Sequence, residues 1–267
     1  VIKPGTHTLR IRYWVKDVAT HVEGTITKII PSHTFAKNEY VNMEADLQIK
    51  NYDGDKYYMW DAQQNYWAGH EWNSAAPWQP VLYGTSNSNY PKSNTDSRWY
   101  NDGSGSPFNA THSCAGLPNA NELSWYCMYG DPRWDEDELW TTMGHLYKGG
   151  MWFKKKSVLQ SEHHYDTEKS ADGATDLRIT YNTYNNTNIS ITNSGIPSAA
   201  DAGNYFYLPA SGYYASGLLV NLRHGYYWSS SAYPWDSYYA YYLYFSSSNV
   251  RVDSNLRDNG FRAEAFQ

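Results

Sequence analysis

Between Tyr226 and Phe245 the chain sets eight tyrosines among two tryptophans, four serines, an aspartate and a proline, and this stretch restricts the fold more than any other. Read with period two, Ala240 to Ser246 puts Tyr241, Leu243 and Phe245 on one side of a strand. Ala240, Tyr242, Tyr244 and Ser246 fall on the other. The first set is what a core takes. The second is aromatic and wettable, and any buried phenol in it needs a partner for its hydroxyl. Tyrosine is a good strand former, and exposed aromatic pairs steady a sheet by about 0.2–1 kcal/mol each. That explains one or two tyrosines. It explains less well why Tyr, Ser, Asp and Asn cluster together. Such a mixture suits a binding surface, because tyrosine offers a large contact area with few torsions to freeze.

The whole chain leans the same way, with 27 Tyr and 12 Trp against 7 Phe in 267 residues. A core is filled more cheaply by Phe, Leu and Ile, so the excess points to surfaces that grip and stay wet. Charged residues make up 18% and the net charge is -6. The one basic run, Lys154-Lys155-Lys156, is isolated, so nucleic acid is not an expected partner. No apolar run is long enough to span a membrane. Val1 leads directly into Pro4-Gly5 without a leader-like segment, and the chain reads as a mature product.

Residues 1–50 read as strands. Leu9, Ile11, Tyr13 and Val15 share one face, with Arg10, Arg12 and Trp14 on the other. Strands at Val22–Ile30 and Phe35–Ile49 come next, with breaks at Pro31-Ser32 and Asn38. Three strands are too few to stand alone. They are expected to end an Ig-like sandwich or to pack on the rest of the chain. Residues 51–113 read as long ordered loops pinned by Trp and Tyr. A helix is predicted over Pro118–Met128 and a second over Asp135–Leu146, where Leu139, Met143 and Leu146 have helical spacing. Ser170–Asn204 is polar and turn-rich, and strands return from Tyr205–Leu208 onward.

Chemical motifs are sparse. His70-Glu71 lacks the second histidine of a zinc-protease helix, and the neighbours His163 and His164 point apart. Asp53-Gly54-Asp55 lacks the oxygen ladder of a calcium loop. Asp131 and Asp135–Glu138 form an acidic cluster that reads as a helix start or, alternatively, as a calcium site. No other cofactor is expected. Cys114 and Cys127 either form one local disulfide or remain two buried thiols. A missing motif does not exclude an enzyme, since paired carboxylates are recognised only by geometry.

Leu208-Pro209-Ala210-Ser211-Gly212-Tyr213, Gly225-Tyr226-Tyr227-Trp228-Ser229-Ser230-Ser231, Ala240–Phe245, Asn249-Val250 and Arg257-Asp258-Asn259-Gly260-Phe261 together resemble the end of a C-type-lectin-like domain of the formylglycine-generating-enzyme type. More closely, they resemble the variable proteins of diversity-generating retroelements and related surface domains of gut anaerobes. Leu117-Pro118-Asn119 through Trp125 is similar to the helix start of that fold. Residues 1–50 resemble, more loosely, the closing strands of fimbrillin-type pilus subunits. The resemblance implies an α+β fold. A β-rich Ig-like or fimbrillin-like segment, 1–50, precedes a C-type-lectin-like domain, 51–267, with its variable region at about 223–267. In such systems template adenines are mutagenised, so Asn codons scatter into Tyr, Ser, Asp and others; Trp235 cannot arise from such a codon. The ending Arg262 to Gln267 departs from the related surface domains and leaves the roles of Arg262 and Glu264 open. The catalytic cysteine pair of the enzymes has no counterpart, since both cysteines precede the region where it belongs.

With Trp228, Leu243, Phe245, Val250, Gly260 and Phe261 taken as scaffold, the residues expected to face a ligand are Tyr233, Trp235, Asp236, Tyr238, Tyr239, Tyr242, Tyr244, Ser246, Arg251, Asp253, Ser254, Leu256 and Asp258. No catalytic residue is expected. The expected function is that of an extracellular, surface-displayed ligand-binding protein, adhesin-like, with a pilus tip as one placement. Its partner would be a protein or glycan, with neighbouring pilus subunits a further option. An enzyme on the same fold, or a structural pilus subunit, is the alternative.

Overall fold

The computed structural model describes residues 2–42, 46–75, 87–101 and 108–266. Strand outweighs helix throughout, and the chain divides into two compact units. One comprises Val1–Tyr52 with Leu139–Tyr147, and the other Asp53–Glu138 with Lys148–Gln267.

In the first unit β1 (Gly5–Lys16) and β2 (Glu23–Phe35) form a long antiparallel ribbon. Burial alternates strictly along β1, with Leu9, Ile11, Tyr13 and Val15 on the less exposed side, as the period predicts. The break predicted at Pro31-Ser32 does not occur. β2 runs through both residues, and the register slips there between His7 and Leu9, a bulge that absorbs the missing proline N–H. A strand over Phe35–Ile49 is also absent among the described residues; residues 43–45 lie outside them. Only β3 (Lys50–Asn51) is extended, pairing parallel with Trp140-Thr141.

The predicted second helix is a hairpin instead: β5 (Arg133–Thr142) and β6 (His145–Lys154), which come after the short β4 (Tyr57–Tyr58). Met143 and Gly144 both have positive φ, 49° and 75°, which makes a two-residue turn matched to strand twist. The spacing of Leu139, Met143 and Leu146 satisfied a helix by coincidence. The β-forming Trp140-Thr141-Thr142 before a turn glycine was the stronger signal. Gly149 and Gly150 lie within β6; a side chain at Gly150 would collide with Tyr207 and the Leu208 carbonyl. Within the first unit the Asp17 carboxylate accepts N–H bonds from Ala19 (2.7 Å) and Leu146 (2.8 Å), which holds its acidity at about 2.

The first predicted helix forms. α1 spans Ala120–Tyr129, with Asn119 rather than Pro118 at its start. Asn119 Oδ1 accepts from the Glu122 N–H and Glu122 accepts from the Asn119 N–H, a reciprocal cap. The remaining elements of the second unit are α2 (Lys156–Ser161), β7 (Tyr184–Asn186), α3 (Ser190–Asn193), β8 (Tyr205–Pro209), β9 (Tyr213–Ala215), β10 (Leu218–Val220), β11 (Gly225–Ala232), β12 (Tyr239–Phe245), β13 (Val250–Leu256) and β14 (Phe261–Arg262). Six strands make one sheet in the order β4-β14-β11-β12-β13-β7. β8 pairs with β6, and β9 with β10.

One face of the six-stranded sheet carries Tyr227, Tyr241, Leu243, Phe245, Val250 and Val252 into a core with α1 and β6. The other carries Tyr226, Trp228, Ala240, Tyr242 and Phe261 into a second core, closed by Trp60, Ala110, Cys114 and Leu117 from the loop segment. Two fully buried arginines fasten that segment. Arg257 donates to the carbonyls of Tyr239 (2.9 Å) and Asn101 (2.8 Å) and lies 4.4 Å over Trp60. Arg262 pairs with Glu264, donates to the Asp53 carbonyl (3.1 Å) and lies over Tyr57. Trp60 Nε1 donates to the Ser229 carbonyl, and Trp228 Nε1 to that of Tyr58, both at 2.8 Å. Thus the aromatics of residues 51–113 form a layer over the sheet, within the described part of that segment.

Cys114 and Cys127 are free thiols, one in each core, so the local disulfide does not form. Burial pushes both up to about 12. Cys127 Sγ donates to the Val250 carbonyl, while Cys114 Sγ accepts from the Asp61 N–H.

Candidate ligand-binding surface

Strand register fixes where each expected contact residue falls. β12 lies between β11 and β13, so Tyr226, Tyr244 and Arg251 form one cross-strand row, and Trp228, Tyr242 and Asp253 the next. β7 extends the first row with Asn185. Aromatic residues occupy the β11 end of these rows and charged or polar ones the β13 end. The loop layer covers the aromatic end.

Two expected contact residues are therefore buried, which corrects the reading from period two. Tyr242 is 4% exposed. Its ring lies parallel to that of Tyr226 (6.1 Å between centres, 4°) and packs on Phe261 at 5.0 Å. Loss of solvent pushes its phenol up to about 12. Ser246, 7% exposed, closes the β12–β13 turn: its hydroxyl donates to Asn249 Oδ1 at 2.7 Å and its N–H to the Asn249 carbonyl. Neither side chain faces a ligand.

The other eleven divide among four places. Tyr244, Arg251 and Asp253 belong to the polar end of the outer face. Arg251 lies 4.8 Å over the Tyr244 ring, whose other neighbour is His224 at 5.7 Å. Burial, and after it Arg223, lowers the His224 imidazole below its ordinary value. Ser254 and Leu256 alternate onto the opposite side of β13, where Leu256 is exposed. Asp258 lies apart, beside the phenols of Tyr66 and Tyr90, and its carboxyl is raised by burial.

The fourth place is the β11–β12 connection, which gathers Tyr233, Trp235, Asp236, Tyr238 and Tyr239. Asp236 Oδ1 accepts from the Tyr238 N–H (2.8 Å), and the Tyr233 N–H donates to the Tyr239 carbonyl (3.0 Å), so the tip is a bonded turn. Trp235 is 69% exposed and Tyr238 59%. Tyr181, which the sequence reading overlooked, joins them from the polar stretch before β7. Its ring lies 5.1 Å from Tyr233 and 5.2 Å from Trp235. Tyr233 and Trp235 lie 6.2 Å apart and also meet edge to face. Only a neighbouring Thr and Asn marked Tyr181 in the sequence, the same alphabet as the tip, and nothing local linked it to residues so distant in the chain.

The loop layer holds a separate cleft of about 430 Å³, lined by Asp61, Gln63, Asp96, Trp99, Asn101 and His112 among others. Asp61 is committed to structure there, accepting N–H bonds from Thr111 (2.7 Å) and His112 (2.6 Å) and an amide bond from Asn101 (3.1 Å). The acidic cluster is similarly engaged. Asp131 pairs with Arg133 and accepts from the Tyr205 hydroxyl, and Asp135 accepts from Trp152 Nε1. Among the described residues no group of three or more His, Cys, Asp or Glu is arranged to hold a metal ion. No described helix is long and apolar enough to cross a membrane.

Compared with known proteins, the chain matches no family model, no curated relative and no solved structure.

Proposed function

We propose that the chain is a ligand-binding module displayed at a cell surface, built on a C-type-lectin-like domain, whose β11–β12 tip grips a protein or glycan. The observation that carries this reading is the exposure of Trp235 and Tyr238 on a hydrogen-bonded turn. Large aromatics left in water on a fixed scaffold contribute little to folding and much to association. The segments that resemble retroelement variable proteins supply β8, β9 and the strands β11–β14, so the variable stretch and the tip coincide.

An enzymatic reading is less well supported by the same geometry. Catalysis needs convergent titratable groups in a pocket. The tip carboxylate Asp236 has no histidine or lysine in ion-pair contact among the described residues. In the loop-layer cleft His112 Nδ1 stands 3.5 Å from Asp61, but both Asp61 oxygens are held by the Thr111 and His112 N–H groups, and Asp96 is paired with Arg98.

The test is direct. The chain and a Trp235→Ala/Tyr238→Ala double variant are passed over immobilised glycans and purified surface proteins. Binding by the parent alone, at equal thermal midpoints, supports the assignment; equal binding by both refutes it. Diversification is tested separately in the DNA beside the gene. A second copy of the segment encoding about 223–267, differing where it carries adenine, is the expected finding, and its absence leaves an ordinary surface domain.

A further inference from the structure

Resting on that reading, we infer that the tip recognises a cation: the ammonium or guanidinium group of a Lys or Arg presented by a partner polypeptide.

Two independent features converge. The first is the aromatic trio Tyr181, Tyr233 and Trp235. Its rings meet at 78°, 54° and 66°, so they cannot all bury their faces in one another. Trp235, the best cation-accepting side chain, is the most exposed of them. The second feature is uncompensated negative charge. Asp236 and Asp253 each use one oxygen on a nearby backbone N–H, at 2.8 Å, and among the described residues neither has a cationic partner within ion-pair distance. Asp253 is close enough to act electrostatically on the Tyr181 and Tyr233 phenols, and Asp236 on Tyr233. Negative charge beside an exposed aromatic face adds to its attraction for a soft cation.

The arginines of this region do not fill that role. Arg257 lies buried beneath the tip and donates Nε to the Tyr239 carbonyl. Arg251 rests on Tyr244, on the outer face. Its charge opposes a ligand cation over the Tyr244 ring. A polypeptide source is favoured over a free ammonium ion by the surroundings. Tyr238 and Leu256 are exposed beside the tip strands and offer contact area that a small ion leaves unused.

The experiment titrates the chain with Nα-acetyl-arginine amide, Nα-acetyl-lysine amide, neutral Nα-acetyl-norleucine amide and tetramethylammonium, tracking aromatic resonances by NMR. The arginine and lysine amides are expected to shift Trp235 and Tyr181, and norleucine amide to leave them unmoved. Trp235→Ala should weaken arginine amide by roughly tenfold. Asp236→Asn with Asp253→Asn should weaken it and remove its sensitivity to salt. Equal shifts from norleucine amide, or unchanged cation binding in Trp235→Ala, overturn the inference. A response to tetramethylammonium alone overturns the polypeptide occupant. If the chain holds a glycan or surface protein but ignores arginine amide, the adhesive reading stands and this one falls; a cation response without any surface ligand has the reverse meaning.

Discussion

Tyr242 and Trp235 belong to the same hairpin, β11–β12, and to the same aromatic run, yet one is sealed and the other is in water. Chemistry does not separate them, because both side chains are large, flat and able to hydrogen-bond. What separates them is coverage. Over the middle of the hairpin lies the loop layer, tied down by Arg257, Arg262 and the Trp60–Ser229 bond. At the tip Tyr181 and Tyr233 lean on the inner core, Tyr233 meeting Tyr241 edge to face, while Trp235 and Tyr238 stay in water. A tyrosine-rich strand is therefore not in itself a binding face. It becomes one only where the rest of the chain leaves it bare.

The most severe way to break this contrast is to empty the covered region. Trp228→Ala removes a fully buried indole stacked at 4.2 Å on Phe261. Urea unfolding should register a loss of about 4 kcal/mol. A loss under about 1 kcal/mol would mean that the outer face is not a core. Next in size is Tyr242→Ala, with an expected loss of about 3 kcal/mol in the same assay. Its phenol also sets a pH dependence. Native ionisation is displaced from 10.0 to about 12, whereas an unfolded chain ionises at the ordinary value. Between those limits the unfolded state binds fewer protons, so stability falls as pH rises from about 10 to about 12. Absorbance at the phenolate band, recorded with circular dichroism, should show phenolate appearing with unfolding, because Tyr226, Tyr241 and other buried phenols are raised as Tyr242 is. The pH at which this happens should move up in Tyr242→Phe if Tyr242 is a main contributor.

How much of this was legible depends on the range of each signal. The alternation of Leu9, Ile11, Tyr13 and Val15 could be read because a strand's period is local. The helix α1 could be read because its spacing signals are local, although it begins after the cap Asn119 and not with Pro118 in its first turn. The β5–β6 hairpin was missed because three apolar residues happened to fit a helix, while the deciding turn needed only Met143 and Gly144. The fate of Tyr242 could not be read. Its cover is Phe261 and the layer around Trp60, far away along the chain, and period two says which side a residue takes but not what lies there.

A smaller effect sharpens the comparison from the side of the inner core. Asn119→Ala removes the cap of α1, whose Leu123, Tyr126 and Cys127 pack beneath the sheet. The expected loss is about 1 kcal/mol. Each core contains one buried thiol, so iodoacetamide labelling with mass spectrometry reads the two layers separately. Asn119→Ala should hasten modification of Cys127 more than of Cys114. Equal acceleration would show that the layers open as one.

The smallest expected effect is the most telling. Trp235→Ala deletes the largest side chain of the tip, so residue size alone would suggest damage comparable to that at Trp228. The indole is mostly in water, its neighbours Tyr181 and Tyr233 retain each other, and the turn is held by Asp236 and the backbone rather than by the ring. The change in unfolding free energy should stay below about 0.5 kcal/mol. Since the side chain contributes so little to the fold, its conspicuous size calls for another role, and the binding measurement on the same variant tests whether that role is the proposed one. A loss as large as that of Tyr242→Ala would erase the distinction between the covered and bare parts of the hairpin, and the tip would be one more patch of core.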